Sequence, residues 1–367
     1  MALSLVVIVL GAYTRISDAG LGCPDWPGCY GQIMVPTHNT EIMRAAELFP
    51  NHQIEPKKAW LEMIHRYVAG TLGLVIAAIF ALSFKLSNVV NHSSLHASQL
   101  KNTSVRKAKY WSTGLLLLVC FQAALGMWTV TLKLLPIIVV LHLFGGFLLF
   151  SLLLVFYLII KPHSWLKPTP NQTFRRIKSL VSLQKMGWIA LAVLWFQIFL
   201  GGWTSTNYAA LVCTSLPLCE GAWWQNFNLN GAFTIFQHPL LNTGSTGRES
   251  FEYGVLDYNS RMTIHVLHRI GAIITTITLL IFAWRVLGEQ SQPMLKHAAI
   301  SLALLIFIQV GLGVANVLLH LPVLLAVAHN MVAALLLFNL VFVCTCLRLS
   351  YRSSVSLSRQ SERISLN

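Results

Sequence analysis

EMIHRYVAGTLGLVIAAIFALSFK, residues 62–85, sets an acid, a histidine and an arginine at one end of an apolar run and a lysine at the other. No charged residue stands between Arg66 and Lys85. A helix needs about 20 apolar residues to cross the hydrocarbon core of a bilayer. The run at 64–84 has that length, and comparable runs recur at 112–132, 137–160, 186–204, 262–284, 298–320 and 323–347. An eighth, ALSLVVIVLGAY at 2–13, is short as written. It has neither the basic n-region nor the cleavage site of a signal peptide, so it reads as a first spanning helix whose start lies upstream.

Composition agrees. The 367 residues are 55% hydrophobic and 10% charged, with a mean hydropathy of +0.65. A soluble domain carries about 25% charge. The expected class is an all-α polytopic membrane protein with eight transmembrane helices. The net charge of +14 invites a nucleic-acid reading until the cations are mapped onto loops. With the N-terminus inside, most of the 26 cations fall on inner segments, among them Lys85, Arg106, Lys107, Lys161, Lys167, Lys178, Lys185, Arg285 and Arg348. Of the 12 acids only Glu289 and Glu362 do. That is the positive-inside pattern, which places both termini in the cytoplasm and makes the charge a topology signal. No nucleic-acid partner is expected; lipid is.

The chain repeats itself. CPDWPGC (23–29) and CTSLPLC (213–219) share a C-x5-C form with proline at the fifth position, and LGAYT and LGGWT precede them. HRYVAG (65–70) matches HRIGA (268–272), and FQAALGMWTV (121–130) matches IQVGLGVANV (308–317). The expected organisation is two four-helix bundle repeats, 1–161 and 186–348, joined by a basic linker at 162–185 and followed by a tail at 349–367. An even number of helices per repeat gives both the same orientation, related by an axis along the membrane normal, unlike inverted-repeat transporters.

Cys23, Cys29, Cys213 and Cys219 then lie in outer loops, where disulfides persist. A bond within each pair closes a small loop worth about 2 kcal/mol. A structural staple and a redox-active pair are both open readings. Structural zinc pairs have two to four intervening residues, against five here, which weighs against zinc. Cys120, Cys344 and Cys346 fall in helices as small apolar residues.

Of the 13 histidines, His38, His52, His92, His96, His163, His238 and His297 lie in loops or at their edges, and His320 at a hairpin. His65, His142, His268 and His329 differ. They sit in the four even-numbered spans, 17 to 20 residues before Lys85, Lys161, Arg285 and Arg348. At 1.5 Å per residue that is about 26–30 Å, so all four imidazoles share one depth near the outer face. An ionisable group inside a membrane needs a partner. An interhelical hydrogen bond would serve for one histidine. Four at matched depth in a duplicated context point to ligands, two facing histidines holding a haem iron from both sides. Gly70, Gly73, Gly145, Gly146 and Gly271 would leave room for a flat macrocycle. Arg66 and Arg269 could pair with haem propionates or simply snorkel to the interface. One position breaks the symmetry: Glu62 stands three residues before His65, and His265 three before His268. A carboxylate beside a reacting centre can act as base or steer protons; a capping role near Pro56 is the alternative.

These motifs together resemble the haem A synthase family in its bacterial form, over nearly the whole chain. The resemblance rests on GAYTRISDAGLGCPDWPGC, EMIHR, LHLFGG, HVLHRIGA and AHNMVAALLLFN. It implies an oxidoreductase that turns a ring methyl of haem O into a formyl group, giving haem A for cytochrome c oxidase. It further implies that His268 and His329 ligate a resident haem b, that His65 and His142 flank the haem O substrate, and that Glu62 is essential near the reacting methyl. Cys23 with Cys29 becomes a pair serving the redox cycle or haem delivery, and Cys213 with Cys219 a more structural pair. The implied partners are the haem O-producing farnesyltransferase, cytochrome c oxidase assembly and an electron partner. The implied location is the bacterial inner membrane, with the cysteine loops periplasmic. The abbreviated first helix departs from the family. Two other functions compete. A dihaem b-type electron carrier oxidising quinol accounts for four histidines but not for Glu62 or the cysteines. A haem transporter accounts for weak ligation but not for a resident haem.

Overall fold

The structure, a computed structural model, describes residues 1–92, 99–160, 174–235, 250–288 and 293–365. The first half of the expected linker, with Lys161, His163 and Lys167, lies outside the described residues, as do His96, His238, Glu289 and the last two residues of the tail. Among the described residues there are ten α-helices, one 3₁₀ turn at Trp223–Asn226 and no strand. The helices are α1 (Ala2–Ile16), α2 (Asn39–Leu48), α3 (Pro56–His92), α4 (Gln99–Thr131), α5 (Pro136–Ile160), α6 (Phe174–Thr206), α7 (Leu229–Ala232), α8 (Tyr258–Leu287), α9 (Pro293–Leu318) and α10 (Val323–Ser365).

Local chemistry sets the helix starts. Pro56, Pro136 and Pro293 open α3, α5 and α9, where a missing N–H costs nothing. Asp257 caps α8 by accepting from the Ser260 N–H at 3.2 Å. Four helices end on the side that carries the cysteine loops by one device, a main-chain N–H reaching back five residues to close the last turn. The donor and acceptor residues are Ala19 and Thr14, Leu134 and Thr129, Ala209 and Thr204, and Leu321 and Asn316, at 2.7 to 3.0 Å. Each turn uses left-handed non-glycine backbone, with φ of 48° at Asp18, 51° at Lys133, 52° at Tyr208 and 57° at His320.

Among the described residues seven helices are long and apolar enough to cross a membrane, within α3, α4, α5, α6, α8, α9 and α10. α1 is apolar but has 15 residues, about 22 Å at helical rise and short of the ~30 Å core. The protein is a polytopic, all-helical membrane protein. The contacts form two closed cycles. In one, α1 packs on α3, α3 on α4, α4 on α5 and α5 on α1. In the other, α6 packs on α8, α8 on α9, α9 on α10 and α10 on α6. α3 and α5 therefore face each other diagonally across one ring, and α8 and α10 across the other.

The rings join where α5 meets α6 and α10, and where α1 meets α10. Phe147 and Phe150 of α5 are buried in this seam, and Phe150 stacks on Phe338 with centroids 4.7 Å apart. Ile273, Ile277, Ile281, Leu304 and Phe307 point outward and exposed. Hydrocarbon is a suitable solvent for that surface, so helix association rests on packing and polar ties rather than on hiding apolar area.

A polar side-chain tie crosses between the rings on the side that carries the cysteine loops. Arg15 donates to the Tyr208 hydroxyl at 2.8 Å and to the Ser205 carbonyl at 2.7 Å, and Tyr208 donates to Asp18 at 3.0 Å. Hydrogen bonds to charged groups are the stronger kind. Tyr208→Phe removes two of these and should cost about 2 kcal/mol, read as a lower unfolding midpoint in detergent. A midpoint equal to wild type would show that the tie contributes nothing to joining the rings.

Candidate functional site

The four histidines meet glycines. A Cβ added to Gly11 would lie 2.9 Å from Cε1 of His65; the same distance is 3.3 Å for Gly126 and His142, 3.1 Å for Gly201 and His268, and 3.2 Å for Gly313 and His329. Each imidazole thus lies on bare backbone of the neighbouring helix, α1, α4, α6 or α9. Each glycine follows a leucine and precedes by three residues the carbonyl that closes the outer turn, Thr14, Thr129, Thr204 or Asn316. That spacing fixes the depth of all four rings. The motifs LGAYT, LGMWT, LGGWT and LGVAN carry this signal in the sequence, although the composition-level reading of glycines as room for a macrocycle passed over it.

The diagonal helices bring the rings together in pairs. His65 lies within electrostatic range of His142, and His268 within range of His329. Nδ1 of His65, His142 and His329 is buried and meets no side-chain partner, only the main chain of Val7, Gln122 and Gln309 respectively, while His268 Nδ1 lies 3.0 Å from the Gln197 amide. Buried imidazoles left unpaired are costly unless something ligates them. A Cβ on Gly70, Gly73 or Gly146 would meet nothing within 4 Å, so there is open space beside the α3–α5 pair. Gly145 and Gly271 border no such space: Gln122 and Gln197 fill it. Two facing buried imidazoles fit the chemistry of a haem iron, which His65 with His142 and His268 with His329 would hold.

Above each pair sits a cysteine loop. Cys23 is bonded to Cys29 and Cys213 to Cys219, with Cα atoms 4.8 Å apart in both. The sulfurs of Cys213 and Cys219 are therefore not free thiolates for a metal. Each loop is pinned internally by an acid. Asp25 accepts from the N–H groups of Tyr30 at 2.7 Å and Gly31 at 2.8 Å. Glu220 accepts from the N–H groups of Thr214 and Ser215, both at 2.6 Å, and from the Thr214 hydroxyl. The Thr214 hydroxyl, then those N–H groups, hold the Glu220 carboxyl down at about 2.

The helix beneath grips each loop in the same way. Glu62 is buried and accepts from the Cys23 N–H at 2.9 Å. It also pairs closely with Arg66, whose Nη1 donates to the carbonyls of Asp25 at 3.0 Å, Pro27 at 3.3 Å and Gly28 at 2.6 Å. In the other ring His265 Nδ1 lies 3.4 Å from the Cys213 N–H, a contact rather than a hydrogen bond while Nε2 accepts from Arg269, because a neutral imidazole keeps its proton on one nitrogen. Arg269 donates to His265 Nε2 at 3.2 Å and to the carbonyls of Ser215 at 2.5 Å, Cys213 at 2.6 Å and Leu218. Glu62 and His265 are thus structural counterparts, each between a cysteine amide and the arginine one turn on. The two arginines, read from the sequence as partners for propionates, direct their guanidinium groups into the loops. Sequence reasoning did not find this clamp, nor the part played by Gln197 and Gln309.

Residues 1–341 match the family COX15-CtaA, described as cytochrome oxidase assembly protein. A protein named heme A synthase from Shewanella oneidensis is 48% identical over 345 residues, covering 94% of this chain and 93% of its own. Proteins of the same name from Brucella ovis and Brucella melitensis are 25% identical over 359 residues, covering 92% of this chain and 86% of theirs.

Two outcomes follow from the loop geometry. Arg66→Ala leaves three carbonyls and the buried Glu62 without their donor, which should cost about 3–5 kcal/mol and make the 23–29 loop a preferred site of limited proteolysis. Arg66→Lys should recover only part, since an ammonium cannot reproduce the guanidinium fork; full recovery would mean that charge alone holds the loop. For Glu220 the folded value lies below the ordinary 4.5, so its stabilisation is complete above that and drains away as pH falls toward 2. Protease sensitivity of the 213–220 loop should be flat from pH 8 to 5 and rise below 4.5; a rise near neutral pH would contradict the assignment.

Proposed function

We infer that this chain, which belongs to the COX15-CtaA family and groups with its haem A synthases, oxidises the ring methyl of haem O to a formyl group, giving haem A for cytochrome oxidase assembly. The observation that carries the reading is the counterpart relation of Glu62 and His265. Two histidine pairs have matched surroundings, and only one has a carboxylate beside it. One ring reacts; the other holds a permanent cofactor.

In this reading the chain is eight spans, with α1 as the first, in two same-orientation four-helix halves, 1–161 and 186–348, joined by the linker 162–185 and followed by the tail 349–367. It lies in the bacterial inner membrane with both termini cytoplasmic and the cysteine loops periplasmic, and it takes haem O from the farnesyltransferase that makes it. The repeated motifs, the closed helix cycles and the distribution of cations support this arrangement.

His268 and His329 would hold the resident haem b. That haem would supply one-electron transfer. His65 and His142 would flank the substrate beneath the Cys23–Cys29 loop. Conversion of a methyl to an aldehyde adds one oxygen atom and, with water as its source, gives up four electrons and four protons (R–CH₃ + H₂O → R–CHO + 4 H⁺ + 4 e⁻), in two rounds by way of alcohol and hydrate, the electrons leaving for the electron partner. Glu62 is placed to take up protons released there, and its bond to Arg66 and the Cys23 N–H aims the carboxylate while keeping it buried. The cysteine loops and the arginine clamp shield the ring edge from water.

Glu62→Gln should retain substrate haem, since the amide still accepts from Cys23, while formyl product falls by about 10²–10⁴-fold. Extracted pigments would be haem B with haem O in the variant, and haem B with haem O and haem A in wild type. Two equivalents of haem B alone in wild type would instead identify an electron carrier, and unchanged haem A in the variant would remove Glu62 from the chemistry.

A further inference from the structure

The two propionates of a haem call for cations, and Arg66 and Arg269 are engaged by loop carbonyls. A second pair of cations shares a helix face with the histidines. Lys58 precedes His65 by seven residues, and Arg261 precedes His268 by seven. Seven residues make two helical turns, about 10 Å of rise and about 20° of arc. Each cation therefore stands above its histidine on the cysteine-loop side. Packing fixes this face in α8. On one flank Ile264 packs with Val140 and Trp203; on the other Met262 and Val266 pack with Cys213. Arg261 and His268 lie between the flanks, on the side of α8 turned toward α10. In α3 the residues matching Met262 and Val266 are Ala59 and Met63, which pack with Cys23 and Cys29, so Lys58 and His65 keep the same register. The two cations differ in company. Nε of Arg261 is buried with no hydrogen-bond partner, and among the described residues no acid pairs with it. A buried guanidinium nitrogen without an acceptor is costly. Nζ of Lys58 donates to Glu55 at 3.0 Å.

We propose that Arg261 binds a propionate of the haem held by His268 and His329, and that Lys58 binds a propionate of the haem held by His65 and His142. The proposal rests on the reading of both histidine pairs as haem ligands. A guanidinium stays charged and takes a carboxylate with two parallel hydrogen bonds, which suits a haem that remains in place. An ammonium is a point charge on a flexible stem. Glu55 shares that charge, so an arriving propionate displaces one carboxylate by another, and Glu55 returns when the haem leaves. The ammonium is thus never left without a counter-charge, which suits a site that takes in one haem and gives up another.

The test is haem loss to excess apomyoglobin from the full-length, pigment-loaded protein, with the released haem typed by its pyridine haemochrome spectrum, together with the midpoint potential of the retained haem B. Arg261→Gln should release haem B about 10–100-fold faster, as for the loss of charge-assisted hydrogen bonds. It should also lower the potential, because a carboxylate left without its cation favours ferric iron. Haem O should leave that variant at the wild-type rate. Arg261→Lys should restore the potential but only part of the retention, since an ammonium lacks the fork. Lys58→Gln should speed the release of haem O by a similar factor and leave haem B unchanged; it also serves if Arg261→Gln does not fold. Wild-type release from either folded variant overturns the proposal while leaving the haem reading intact. So does faster haem B release from Arg261→Gln at an unchanged potential, which would make the arginine a structural residue only. A wild-type protein without haem would overturn both.

Discussion

An imidazole resting on a glycine of the next helix is the contact from which the architecture follows. It requires that glycine, because any Cβ would stand about 3 Å from the ring. It requires close helix approach, which small residues permit inside a membrane. It also requires a second partner for each ring nitrogen, because an unpaired ionisable group is costly there. Repeated at Gly11, Gly126, Gly201 and Gly313, the contact draws each histidine helix against its neighbour and closes the two cycles of helices. The diagonals that remain, α3 with α5 and α8 with α10, carry the imidazoles into facing pairs.

The ends of α3 and α8 beneath the cysteine loops set two different side chains in one frame. Arginine, cysteine loop and internal acid recur at both, so the frame is held constant. The residue between the cysteine amide and the arginine changes from Glu62 to His265. A carboxylate there can neutralise Arg66 and still exchange a proton; an imidazole accepts a hydrogen bond from Arg269 but brings no counter-charge. The loop geometry survives because either side chain fits between the cysteine amide and the arginine and accepts from that arginine.

Much of this was legible in the sequence. The apolar runs gave the spans, and α1 stayed short in the structure as in the sequence. The shared spacing from His65, His142, His268 and His329 to the inner cations gave their common depth, because helical rise converts residue counts into height. Glu62 and His265 stood out by position alone. The arginine clamp did not, since donors such as Arg66 find their acceptors on main-chain carbonyls of a loop, and a carbonyl has no letter of its own. Gln197 was missed for a related reason: its meaning depends on the empty seat at Gly271, and a pairing of a long side chain with a missing one has no fixed sequence spacing. Glycines such as Gly145 and Gly271, read as space for a cofactor, hold glutamines instead.

The central claim, that facing imidazoles hold haem in each ring, is tested most directly by low-temperature electron paramagnetic resonance of the oxidised, pigmented protein. The account predicts a low-spin ferric signal of bis-imidazole haem that disappears in His268→Ala and in His329→Ala separately, and that persists in His65→Ala. A low-spin signal that survives both C-terminal substitutions, or a wild-type protein without one, would contradict it.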